Sequence, residues 1–177
     1  KAITKEGEEV ELLEKVDGVV GNSLFKVDKA LTSADEIAGV LVNGSYLKNP
    51  TAKNVLDLIR NPSGAMKLDQ SAGSILNGQY MYVVDEADNI IIGTRATGIS
   101  PFNGKAPHPT LIGGFDPTVK TAGIIEFRAG KIYKVDNVSG HFKPSSQSLQ
   151  NSQSIFNQKF LPNNFADDFQ GFVPYTN

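Results

Sequence analysis

Residues 79–94 read QYMYVVDEADNIIIGT, and the period of that stretch decides the fold. Gln79–Val84 and Asn89–Thr94 are runs of aromatic and β-branched residues, and the polar Asp85–Asp88 between them is a turn, so a β-hairpin is expected. Residues 123–135, GIIEFRAGKIYKV, repeat the device: Gly123–Phe127 and Lys131–Val135 are two strands around Ala129 and Gly130. The two hairpins predict a four-stranded antiparallel meander.

Outward from the hairpins the pattern changes to a helical one. Thr32-Ser33-Ala34-Asp35-Glu36 has the Ser/Thr-x-x-Glu spacing of a capping box, which predicts a helix starting near Ser33. Pro50-Thr51-Ala52 predicts a second helix, with Val55, Leu58 and Ile59 on one face, ending before Asn61-Pro62. A short third helix is expected over Leu68–Leu76, stopped by Gly78. Downstream, residues 145–154 are rich in Ser and Gln, Ile155–Phe160 predicts a closing helix, and Phe160, Phe165, Phe169 and Phe172 read as packing residues. The fold class is therefore α+β: N-terminal helices, a four-stranded antiparallel meander and a helical tail. Residues 5–17 read as an acidic helix or a linker. The expected organisation is a linker or helical extension over residues 1–30 and a single α+β domain over 31–177.

Composition narrows the chemistry. Of the 177 residues 40% are hydrophobic, enough for a real core, and no apolar run approaches the length of a membrane span. There is no cysteine, which removes disulfides, zinc–thiolate sites and thiol nucleophiles. The first residue is Lys1 and no signal-peptide pattern follows, so the chain reads as a piece of something longer. Charge is uneven. Residues 1–36 are acidic, whereas residues 89–145 hold Arg95, Lys105, Lys120, Arg128, Lys131, Lys134 and Lys143 against Asp116, Glu126 and Asp136. A local basic surface of that kind attracts phosphate even on a chain with a net charge of −2.

Only two histidines are present, His108 and His141, each in a loop beside an expected strand. Imidazole, with an ordinary pKa of about 6.5, is the side chain suited to proton transfer near neutrality. Two such groups are the minimum set for acid–base cleavage of RNA. Lys143 is placed to stabilise charge on a phosphate oxygen, and Thr110, Ser139, Ser145, Arg95 and Lys105 are candidates to bind the substrate. No metal-ligand spacing is present, so neither a metal nor another cofactor is expected.

The ordered set His108-Pro109-Thr110-Leu111-Ile112-Gly113-Gly114, Ala122-Gly123, Gly130-Lys131-Ile132-Tyr133 and Ser139-Gly140-His141-Phe142-Lys143-Pro144-Ser145 resembles a segment of the C-terminal toxin domains of bacterial polymorphic and contact-dependent toxins. It is also similar to a segment of plant IQ-motif calmodulin-binding proteins. Helices followed by a four-stranded antiparallel sheet resemble, as fold analogy alone, the barnase/EndoU/colicin-like toxin ribonucleases. The resemblance implies a metal-independent ribonuclease effector that leaves a cyclic phosphate, with RNA as substrate and a cognate immunity protein as partner. The chain would be a monomer or a heterodimer with that inhibitor. It would be secreted or displayed as part of a larger protein and act in the target-cell cytoplasm. Two other readings remain: an NAD-consuming toxin of the ADP-ribosyltransferase kind, and a non-catalytic module that binds a ligand or a protein.

Overall fold

Both hairpins form in the computed structural model, which describes residues 23–59, 64–69, 74–95, 97–102 and 104–177. The order in which they join differs from a simple meander. The short N-terminal strands are β1 (Phe25–Lys26), β2 (Leu41–Val42), β3 (Ser45–Tyr46) and β4 (Lys53–Asn54), followed by β5 (Lys67–Asp69) and β6 (Ser74–Ile75). The long strands are β7 (Gly78–Val84), β8 (Ile90–Gly93), β11 (Thr121–Arg128) and β12 (Lys131–Asp136); β9 (Gly114–Phe115), β10 (Thr118–Val119) and β13 (Phe172–Val173) complete the set. The main sheet has six strands in the order β13-β12-β11-β7-β8-β4. β11 pairs with β7 from Thr121 opposite Val84 to Phe127 opposite Gly78, so the hairpins meet through their longest strands and β8 is left toward the edge. β4 covers β8 antiparallel, and β13 joins β12 in parallel.

The continuous apolar run of β7 reflects burial on both faces. Tyr82 and Val84 point into one core with Ile90, Ile92, Ile125, Phe127, Leu149 and Phe156, while Met81 and Val83 point into a second with Leu41, Tyr46, Phe102, Leu111, Ala122 and Phe142. The first core is closed by helix α2 (Ser146–Lys159) and the aromatic tail. Leu149, Ser148, Ser152 and Phe156 form its buried stripe, and the small serines let the helix approach the sheet, where Ser148 and Thr121 share a hydrogen bond of 2.9 Å. Phe156 meets Tyr82 edge to face at 5.5 Å, and Phe160, Phe165, Phe169 and Phe172 continue the ring chain as expected. The second core is closed by an N-terminal layer: α1 (Thr32–Ile37), the small sheet β9-β3-β2 and the β10–β1 pair.

Several elements correct the sequence reading. The helix expected from Pro50 is the edge strand β4 and a 3-10 turn over Val55–Asp57, because pairing with Ile91 and Ile92 holds Lys53 and Asn54 extended. The helix expected over Leu68–Leu76 is replaced by strands β5 and β6. The closing helix begins at Ser146, nine residues before Ile155, because Ser145 caps it by accepting a hydrogen bond from the Ser148 N–H. Within the stretch expected as a linker or helical extension, Phe25 and Lys26 pair with Val119 and Thr118. The acidic stretch over residues 5–17 lies outside the described residues. No helix among the described residues is long and apolar enough to cross a membrane.

Candidate functional site

Both histidines belong to one region: His141 lies in the turn over residues 137–145, which follows β12, and His108 bonds to the same turn through Ser139. The turn is sharp because the chain passes over Gly123, where a Cβ would lie 2.1 Å from the Asp136 carbonyl oxygen. Only glycine leaves room there, which accounts for Gly123 in the middle of a strand. Below the turn Asn137 is fully buried. Its side chain donates to the Pro144 and Tyr175 carbonyls and accepts from the Tyr175 N–H, tying the C-terminal residues to the turn.

His108 starts a 3-10 turn, His108–Leu111, beneath this crossing and is 3% exposed. Its Nε2 lies 2.9 Å from the Gly123 carbonyl oxygen, an obligate acceptor, so Nε2 carries the proton. Nδ1 then accepts from the Ser139 hydroxyl at 3.2 Å, and that oxygen accepts in turn from the Phe142 N–H. Burial pushes the imidazole pKa down to about 4, with smaller contributions from the Arg95 and His141 charges; the bond to Gly123 works the other way. His108, expected as a proton-transfer partner, is held as a cross-link with both nitrogens engaged by the protein. Thr110 is buried and its hydroxyl donates to the Pro107 carbonyl at 2.7 Å. Ser139 is used by His108 and Ser145 by the helix cap, so these three hydroxyls hold structure rather than an open phosphate site.

His141 has the opposite setting. Its side chain is 21% exposed, and Nε2 lies 3.1 and 3.0 Å from the two carboxylate oxygens of Asp35. Asp35, on α1, is only 6% exposed and also accepts from the Tyr46 hydroxyl at 2.5 Å. Burial and the Asp35 carboxylate push the Tyr46 pKa well up, so the phenol keeps its proton and donates it to the carboxylate. The Nε2–H donates to Asp35, so the lone pair of neutral His141 sits on Nδ1. The backbone completes the docking: the Asp28 N–H donates to the His141 carbonyl at 2.7 Å, and Lys143 Nζ lies 2.7 Å from Asp28. The ion pair with Lys143 holds the Asp28 carboxyl below its usual range. Lys143 itself adopts a left-handed backbone, φ 44°, which aims its side chain back at Asp28 and the Gly140 carbonyl.

Several bases of the stretch 89–145 are engaged, two of them by acids from outside it. Lys120 pairs with Asp88, Arg128 with Glu126 and Lys143 with Asp28, while Lys131 donates to the Asn163 carbonyl. Arg95 and Lys105 are exposed. The sequence missed Asp28, Asp35 and Tyr46. The only trace of Asp35 was its place in the capping-box stretch, and an acid in the first turn of a helix ordinarily reads as solvated.

Beside Tyr46 an open cleft of about 280 Å³ is lined by Val27, Lys29, Thr32, Glu36, Leu41 and Phe115 among others. Among the described residues no three His, Asp or Glu side chains converge to hold a metal ion. No family model, curated protein or solved structure matches the chain.

Proposed function

We propose that the chain is an acid–base effector domain of the toxin kind that cleaves RNA without a metal, with His141 as its general base. The observation that supports this reading is the Tyr46–Asp35–His141 chain. A buried carboxylate fixes one imidazole nitrogen of His141, whose side chain is partly exposed at the 139–143 turn. His141 Nδ1 takes the proton of a ribose 2′-hydroxyl, the freed oxygen attacks the neighbouring phosphorus, and the bond to the 5′ oxygen breaks. That oxygen takes its proton from solvent, leaving a 2′,3′-cyclic phosphate. Asp35 is a positioning residue that holds the imidazole in its tautomer and stabilises the imidazolium. Lys143 lies two residues on, where its ammonium can shift from Asp28 toward a phosphate oxygen. A cognate immunity protein would act by covering the 139–143 turn.

The test is cleavage of a defined RNA in EDTA, with mass analysis of the new ends, alongside growth of bacteria expressing the domain. Cyclic-phosphate ends and growth arrest, both relieved by His141→Ala, are expected. An Asp35→Asn variant should shift the pH–rate profile as well as lower the rate, an effect a purely structural carboxylate would not produce. No cleavage by folded protein would reject the reading. The second reading is a binding module without chemistry. It is favoured by the engagement of His108, Thr110, Ser139 and Ser145 in structural bonds, and it predicts ligand binding with intact RNA.

A further inference from the structure

The turn over residues 137–145 is closed by side chains. Pro144, on its returning limb, has no N–H to donate, so that residue bonds across the turn through its carbonyl alone. Two asparagines supply the donors. The buried Asn137 donates from Nδ2 to the Pro144 carbonyl at 3.1 Å. Asn177, which is exposed, places its Nδ2 2.8 Å from the same carbonyl and 2.7 Å from the Asn137 carbonyl. Its Oδ1 accepts from the Ser139 N–H at 3.2 Å. One amide thus engages both its donors and its acceptor on three positions of the turn. Asn137 in turn holds the stretch that carries Asn177. Its amide accepts from the Tyr175 N–H at 2.7 Å and donates to the Tyr175 carbonyl at 2.9 Å, as a peptide group does in a β-ladder.

Ser139 is where this clasp reaches the histidine. The Ser139 carbonyl accepts from the Lys143 N–H at 2.9 Å, so residues 139–143 close on themselves with His141 at the middle. At Ser139 the loop is anchored by Asn177 through the N–H and by His108 through the hydroxyl. Further along it is anchored by Asp28, whose N–H donates to the His141 carbonyl and whose carboxylate takes Lys143. The imidazole meets the Asp35 oxygens at 3.1 and 3.0 Å with both anchors in place. We infer that Asn177 is a positioning residue for His141, fixing through Ser139 and Pro144 the loop that sets the imidazole against Asp35. Its effect on rate rests on His141 acting as the general base, whereas its effect on the His141–Asp35 hydrogen bond does not. Hydrogen bonds made by an exposed side chain contribute little net stability. A displacement of about 1 Å at a reacting group can cost about 10²-fold in rate. Loss of the Asn177 amide therefore shows at His141 before it shows in the fold.

The experiment compares wild type, Asn177→Ala, Asn177→Asp and Tyr175→Phe by two readouts. One is the Nε2–H resonance of His141 in 15N-labelled protein, assigned by its absence in His141→Ala. The other is kcat and KM for cleavage of a defined RNA. Asn177→Asp keeps the size and the acceptor but turns an oxygen toward the Pro144 and Asn137 carbonyls, so it should be at least as harmful as Asn177→Ala. Both Asn177 variants should fold, with urea midpoints close to wild type, and lose the resonance to exchange with solvent. Their kcat should fall about tenfold or more while KM stays within about twofold, because Asn177 orients the base and does not hold the substrate. Tyr175→Phe leaves every bond of the clasp in place and should match wild type. The inference is overturned by an unchanged resonance and kcat in both Asn177 variants, by an effect confined to KM, by an equal loss in Tyr175→Phe, or by a wild type without the resonance. RNA cleavage that ignores both Asn177 variants would refute the positioning role and leave His141 standing. A resonance lost in the Asn177 variants of a protein that cuts no RNA would keep the positioning role and refute the reaction.

Discussion

His141 lies in the turn that His108 bonds to through Ser139, and the contrast between them separates a histidine that builds from one that can react. His108 is enclosed by the sheet and gives both nitrogens to the protein, one to the Gly123 carbonyl and one to Ser139. His141 gives one nitrogen to a buried carboxylate and keeps the other at a turn that solvent reaches. Both stand in Gly- and Pro-rich loops beside strands, so local sequence treats them alike. What differs is the layer each meets in three dimensions, a β-sheet backbone for one and the α1 carboxylate for the other.

The contrast can be broken by substitution. The largest effect is expected at His141: His141→Ala should lower RNA cleavage by about 10²–10⁴-fold, the usual worth of a general base, in single-turnover assays. Its cost in stability should stay near 1–2 kcal/mol, because Asp35 keeps the Tyr46 hydroxyl. His108→Ala should do the reverse. It leaves a cavity and an unpaired Gly123 carbonyl, so denaturant unfolding should show a loss of about 4 kcal/mol, while activity per folded molecule is retained. The pH dependence of stability sharpens the same point. The folded-state pKa of His108 is depressed to about 4, so the unfolded chain binds its proton first as pH falls. This group's contribution is intact above about pH 6.5, declines by about 3 kcal/mol on the way to pH 4 and is flat below. Urea midpoints across that range should follow this curve, and a His108→Gln variant that folds should not show it. The smallest effect is at Lys143: because its ammonium is already committed to Asp28, Lys143→Ala should slow cleavage by only about tenfold, short of the 10²–10³ of a donor aimed freely at the substrate.

The parts of this structure that could be read in advance are those where a local period and the tertiary environment agree. The runs over 79–94 and 123–135 become strands because each folds into its own hairpin and the two hairpins pair through Gly78–Val84 and Thr121–Phe127. The Val55, Leu58 and Ile59 spacing suits a helix in isolation, but Val55 and Leu58 are buried from a 3-10 turn as well, and pairing of the preceding residues with β8 decides the matter. The serine- and glutamine-rich start of α2 hides a buried stripe made largely of small polar residues, which no hydrophobic period reveals. At the site the histidines and Lys143 were visible by residue type. Asp35 and Tyr46 were not, since Asp35 meets His141 from 106 positions away and Tyr46 matters only through Asp35, and nothing local separates a solvated acid from a buried one.

The most direct measurement is the rate at which wild type, His108→Gln and His141→Ala cleave a defined RNA in EDTA, each normalised to folded protein. Cleavage by the first two, ending in 2′,3′-cyclic phosphate, with loss in the third, is the expected result. A His141→Ala protein that cuts at the wild-type rate, or cleavage that disappears in EDTA and returns with a divalent metal, would contradict it.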